Sequence, residues 1–186
     1  MKIAAPLLLL TLLVGCSSTT IDTQYYLLRQ QHVFESRELK PSPDFSLGTV
    51  DIASYIDQPG LMLEVGNGQV RPAQYHQWAE PLHNSVRVFL QREISLQLGT
   101  DVFPAAYSPA STSIEIRVDQ LHGTNDGKAL LLAYWWTIQD GEIQSIFQYT
   151  ETETLTADGY AALANAEEVL LSGFAKSIAD TLQAMP

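Results

Sequence analysis

Cysteine is almost absent from this chain of 186 residues: there is one, Cys16. A single thiol excludes an internal disulfide framework and a cysteine-rich zinc site. Basic side chains are also scarce, with 10 Lys and Arg against 21 Asp and Glu and a net charge of −11 at pH 7. That balance argues against nucleic acid as a partner, because phosphate binding needs a cationic face. No apolar run reaches the roughly 20 residues that a membrane-spanning helix requires. The chain also lacks G-x-S-x-G, H-E-x-x-H, a P-loop and G-x-G-x-x-G. With 46% hydrophobic residues there is enough apolar side chain for a core, so wholesale disorder is excluded. The length suits one domain.

What is present begins at the amino terminus. Lys2 supplies a positive charge, and Ile3 to Val14 is then almost wholly apolar, with Leu7 to Leu10 at its centre. This is a short basic region followed by an apolar region of about a dozen residues, the pattern of a signal peptide. The run ends in Leu13-Val14-Gly15-Cys16, with Ser17-Ser18-Thr19-Thr20 after it. Leu, then a small residue, then Cys resembles a bacterial lipobox. The resemblance implies lipid on the Cys16 thiol, cleavage before it, and acylation of the new amino terminus. The alternative is an ordinary secretory signal with a chance cysteine. Several acyl chains anchor firmly where one binds only marginally. Residues 1–15 read as the leader, 16–23 as a lipidated tether, and 24–186 as the domain. Ser17, where Asp would favour retention in the inner membrane, points to the outer membrane with the domain facing the periplasm. The leader removes only Lys2 among charges, so lipid, not electrostatics, must hold the acidic body at an anionic surface.

The domain reads as α+β. Tyr25 to Leu28, Leu47 to Ile52, Leu61 to Val65 and Gln69 to Tyr75 are predicted strands, the last demoted toward an edge by Pro72. Gly66-Asn67-Gly68 marks a hairpin. A helix is expected from Trp78 to Leu98, with Pro81 in its first turn and Gly99 as its stop. Ile114, Ile116 and Val118 alternate with charges, so one strand face is buried and the other wet. Ala129 to Ile138 is apolar on both sides and suggests a strand covered twice. Asp140-Gly141 turns into a strand from Ile143 to Thr154. A second helix runs to Ala184, with Asp158 as its expected cap and Leu163, Leu170, Phe174, Ile178 and Leu182 as its stripe. Two amphipathic helices on one face of a mainly antiparallel sheet is the simplest arrangement.

Candidate chemistry is sparse. His76 and His83 would share a face if the helix began early, but a third ligand is lacking, and surface histidines are the plainer reading. Glu151 with Glu153 and Glu167 with Glu168 read as a solvated acidic surface, with a dispersed hydrolase as the competing reading. Tyr134-Trp135-Trp136 must present aromatic rings to both sheet faces. Burial beneath the loop from Val102 to Thr112 is the plain reading; an aromatic patch at a subunit contact or lipid path is the other.

The order of several short motifs carries a resemblance. Tyr25-Tyr26-Leu27-Leu28 follows the tether, and Val50-Asp51-Ile52 precedes Tyr55-Ile56-Asp57-Gln58-Pro59-Gly60. Trp78-Ala79-Glu80-Pro81-Leu82 opens a helix, and Ala133-Tyr134-Trp135-Trp136 lies in a late strand. Together with the lipobox, these resemble the PqiC/YmbA family of auxiliary lipoproteins of ABC-type intermembrane lipid transport, over about residues 16–184. The resemblance implies a non-enzymatic lipoprotein of the outer membrane, without a cofactor or metal. It implies as partner an MCE-domain protein anchored in the inner membrane, which forms a tunnel for apolar cargo across the periplasm. It further implies that a ring of identical subunits docks the tunnel's far end. Tyr25 and Tyr26 would then lie near the membrane, and Trp135 or Trp136 at a subunit contact. A shuttle lipoprotein with its own apolar pocket is the alternative.

Overall fold

The computed structural model describes residues 21–29 and 38–185. The leader, Cys16, His32 and the start of the loop expected at 35–44 lie outside the described residues. Seven strands and two long helices follow one another as β1 (Gln24–Tyr26), β2 (Phe45–Ile52), β3 (Gly60–Gly66), β4 (Gln69–Trp78), α1 (Leu82–Leu98), β5 (Thr112–Gly123), β6 (Lys128–Gln139), β7 (Glu142–Thr154) and α2 (Tyr160–Ala184). A short 3-10 turn at Ala105–Tyr107 interrupts the loop before β5.

All seven strands form one sheet in the order β1-β4-β3-β5-β6-β7, with β2 also paired to β5. The long ladders β5–β6 and β6–β7 and the β3–β4 hairpin are antiparallel. The expectation of a mainly antiparallel sheet needs one refinement, because β1–β4, β2–β5 and β3–β5 are parallel. The helical crossover α1, between β4 and β5, allows the two parallel pairings to β5, whereas β1 and β4 are joined through β2 and β3.

The first helix starts later than its sequence suggests. Trp78 ends β4 instead: its register partner is Tyr26, and its N–H donates to the Pro59 carbonyl. Pro81 then stands at the helix cap. Asp158 does not cap α2; Gly159 takes that position at φ 105°, and no side chain caps it. Pro72 sits where predicted for a residue without an N–H: β1 pairs β4 only over His76–Trp78, leaving Pro72 at a free edge. Asp140 and Gly141 both have positive φ, which matches a tight hairpin to the twist of β6 and β7.

The core lies between the sheet and both helices. Ile114, Ile116, Val118, Leu131, Ala133 and Trp135 face Val86, Leu90, Ile94, Leu171, Phe174 and Ile178, all almost completely buried. Each such aliphatic or aromatic side chain contributes about 1.5–3 kcal/mol on burial. β6 is central but not covered twice. Its helix-facing residues are buried, whereas Leu130, Leu132, Tyr134, Trp136 and Ile138 remain half-exposed on the other face.

Gly60 marks the tightest approach of a glycine to neighbouring backbone in the sheet. A Cβ placed there would lie 2.3 Å from the Ala73 carbonyl oxygen, a backbone atom. Gly60→Ala is therefore expected to lower stability by about 1–3 kcal/mol. A lower urea midpoint with an unchanged slope is the signature to look for.

Candidate functional site

Two regions carry the residues singled out in the sequence: the segment after the tether, and the sheet face that the helices leave open.

The first region is firmly fastened to the domain. Tyr26 and His76 hydroxyl and ring meet at 2.8 Å, and the His76 ring stacks on Tyr160 with centroids 4.5 Å apart. The Tyr26 carbonyl accepts from the Ala79 N–H at 2.7 Å, and Leu28 is buried. Arg29 pairs with Glu80 at 2.5 Å, and this guanidinium holds the Glu80 carboxyl below the usual carboxylate range. Tyr25, by contrast, is 65% exposed. A chain leaving this segment toward Cys16 therefore starts from a fixed point, with Tyr25 facing solvent.

The second region splits the aromatic triplet. Trp135 is a core residue, stacked on Phe147 at 4.3 Å. The loop from Val102 does not account for its burial, because Phe103 and Pro104 lie along β2, where the Leu47 N–H donates to the Phe103 carbonyl. Burial removes Trp135 from any subunit contact and leaves that expectation to Trp136. On the open face Trp136 pairs across to Ile146, and Ile138 to Ile143; Ile146 is 66% exposed and Ile143 is 56%. With Leu130, Leu132 and Tyr134 they make an apolar stripe along β6. Its borders are polar: Glu115, Arg117 and Asp51 on one side, with Arg117 to Asp51 at 2.8 Å, and Gln148, Thr150 and Thr152 on the other.

The histidines and carboxylates do not assemble a metal centre. His76 lies in β4 and His83 in α1, so they do not share a helix face; His83 pairs with Asp57 at 3.0 Å. No group of three His, Cys, Asp or Glu suited to a metal ion occurs among the described residues. His122 corrects the surface reading, being only 6% exposed. So does Glu167, which is 1% exposed with its Oε1 lacking any hydrogen-bond partner. Burial pushes the Glu167 carboxyl up to about 8. Glu151 and Glu153 do share a face of β7, at its outer end. An apolar pocket of about 140 Å³ lies beside the start of α2, lined by Leu63, Leu155, Tyr160 and Leu163.

Fold and surface together define a class: an α+β domain with one helix-covered sheet face, one open apolar stripe and an amino-terminal segment fastened to the sheet edge. Residues 25–179 match the family model described as the ABC-type transport auxiliary lipoprotein component. The chain belongs to that family. It is 26% identical over 177 residues to the intermembrane transport lipoprotein PqiC of Escherichia coli K12, covering 94% of each, and the Shigella flexneri PqiC matches equally. A crystal structure of an uncharacterised protein superposes with a TM-score of 0.72 at 19% identity, covering 87% of this chain and 99% of that one. One from Xanthomonas campestris gives 0.66 at 14% identity, covering 83% and 92%. These structures show the fold.

Glu167 generates a prediction with a definite sign. Its native carboxyl titrates near 8 and an unperturbed one near 4.5. Between those values the native state holds a proton that the unfolded state has released, so stability is full below the lower value and lost as pH rises through the upper. Each unit of difference corresponds to about 1.4 kcal/mol, giving a fall of a few kcal/mol. Glu167→Gln keeps a neutral, isosteric group. Its urea midpoint is expected to change little between pH 5 and 8 and to exceed the wild-type midpoint above pH 8, whereas parallel curves for the two proteins would contradict the assignment.

Proposed function

We propose that this protein is a non-enzymatic component of an intermembrane lipid transport system, anchored by lipid on Cys16 to the periplasmic face of the outer membrane. The full-length likeness to PqiC is the observation that carries this reading. The lipobox and the fastened segment at residues 24–29 support the anchor. The acidic body has little attraction of its own for an anionic surface, so the acyl chains supply the attachment.

In this reading the domain docks the outer end of a periplasm-spanning tunnel formed by an MCE-domain protein of the inner membrane. Exposing an acyl chain to water costs about 0.8 kcal/mol per CH₂, so an apolar conduit needs its end held at the acceptor membrane. Identical subunits form a ring, and the stripe of Tyr134, Trp136, Ile143 and Ile146 is its contact surface. Apolar stripes rimmed by polar side chains are the usual form of such contacts. The shuttle alternative has less support: the 140 Å³ pocket beside α2 falls below the roughly 300–1,000 Å³ typical of small-molecule sites.

Two measurements test this reading. A Cys16→Ala protein that is exported should leave the membrane fraction and fail to maintain detergent resistance; wild-type behaviour would remove anchoring from the account. The Trp136→Glu, Ile146→Lys double variant, in mild detergent, should sediment as a monomer with an unchanged circular-dichroism spectrum. A wild-type protein that is itself monomeric would dispose of the ring.

A further inference from the structure

The β5 edge opposite β6 is shared. β2 pairs with it as far as Ile52 to Val118, and β3 meets it at Leu63 to Gly123. Residues 119–122 lie in the gap between the two. A bulge falls at the same place, where the β5–β6 register shifts between Val118 and Gln120. Bulges re-aim side chains and are common beside binding sites. Here the bulge turns Leu121 toward the helices and His122 toward the open face, opposite Leu130.

A cleft of about 470 Å³ opens over this gap, with Ala53, Tyr55, Glu64, Val70, Asp119 and His122 among its walls. Both of its charged residues are acidic, and no Lys or Arg lines it. His122 is 94% buried, and its Nδ1 lies 3.1 Å from the Gly123 carbonyl oxygen. A carbonyl can only accept, so Nδ1 carries a proton, and in the neutral imidazole Nε2 presents a lone pair. No described residue bonds to Nε2, and it is not among the fully enclosed polar atoms, so it meets the cleft. Asp119 makes only a long ion pair. Arg117 approaches it at 3.6 Å, too long for a hydrogen bond, and makes its close pair with Asp51. The Tyr55 hydroxyl, pushed up to about 12 by burial and by Asp119, stays neutral.

The walls thus offer two carboxylates and an imidazole lone pair, beside apolar Ala53, Val70 and Leu130. They are not grouped closely enough for a metal ion. We infer that this cleft binds the cationic side chain of an arginine or lysine from a basic segment of a partner protein. A guanidinium spreads five donors over a plane, which suits separated acceptors, and its methylene stem suits the apolar wall. A phospholipid headgroup is disfavoured because its phosphate would face Glu64 and Asp119 without a cation to receive it. This inference does not depend on the lipid-tunnel reading, since it follows from the cleft alone.

The test uses the full chain in mild detergent and the peptide Gly-Ala-Arg-Ala-Gly, blocked at both ends, with its citrulline counterpart as the neutral control. The His122 imidazole and Leu121 amide resonances should shift saturably with the arginine peptide. Binding should weaken about tenfold with citrulline, and likewise in Glu64→Gln or Asp119→Asn, whichever folds as wild type, for the loss of one charge-assisted hydrogen bond. Glu64→Lys, which supplies an internal cation, should shift His122 without peptide and abolish peptide binding. The inference is overturned if these resonances stay still, if citrulline binds equally, if both neutralised variants bind as wild type, or if phosphatidylethanolamine bicelles shift them and the peptide does not.

Discussion

Strand β5 has more neighbours than a strand has edges. One edge is given wholly to β6 over eleven register pairs. The other must serve β2 and β3, which both run parallel to it and end on it from different stretches of chain. Two strands sharing one edge cannot abut without colliding, so a break is left between them. The turn that follows Ala53 borders that break, where the Ala53 N–H donates to the Val118 carbonyl and Tyr55 lies against Asp119 and His122. Glu167 approaches the same place from the helix side, close enough for its charge to act on Tyr55. The break, the bulge at Asp119 and the buried acid are consequences of one topological choice.

A second break in regularity shows how a side chain can repair such a fold. β2 gains a residue between Leu47 and Val50 relative to β5. The Thr49 N–H, turned away from its ladder by the bulge, donates to Glu115 Oε2 at 2.5 Å. Gly48 has to lack a side chain, because a Cβ would lie 1.9 Å from the other oxygen of the same carboxylate. Glu115 therefore belongs to the backbone's hydrogen bonding more than to a solvated surface.

Much of this was legible in the sequence, and the misses have identifiable causes. Period-two alternation at Ile114, Ile116 and Val118 located β5 and its wet face, and the hairpin turns announced themselves. Alternation continued past Val118 would have placed His122 inward; the bulge, which no composition signals, put it on the open face. Parallel pairings are invisible locally, because they join stretches far apart in the chain, separated by α1 for β2 and β3 on β5 and by two strands for β1 on β4. Trp78 looked helical from its spacing to Leu82 and Val86, but its N–H was already committed to Pro59. Glu167 was a miss with a visible signal. It sits four residues after Leu163 and three before Leu170, inside the apolar stripe of α2, where a solvated carboxylate has no room.

The open face follows from numbers of elements. Two helices suffice to cover one side of a seven-stranded sheet, and the described residues form no third long helix for the other. β7 is polar along only part of its outward side, at Gln148, Thr150 and Thr152, and presents Ile143 and Ile146 along the rest. β6 has no such polar part: its outward residues stay apolar from Leu130 to Ile138 although its inward residues already supply the core. Folding alone gives no reason for that second apolar row, since polar residues would solvate the face at no cost to packing against α1 and α2. The amino-terminal segment fastened through Tyr26 and His76 belongs to the opposite edge of the sheet from β7. β6 and β7, with their row of outward apolar side chains, therefore lie on the far side of the sheet from that segment.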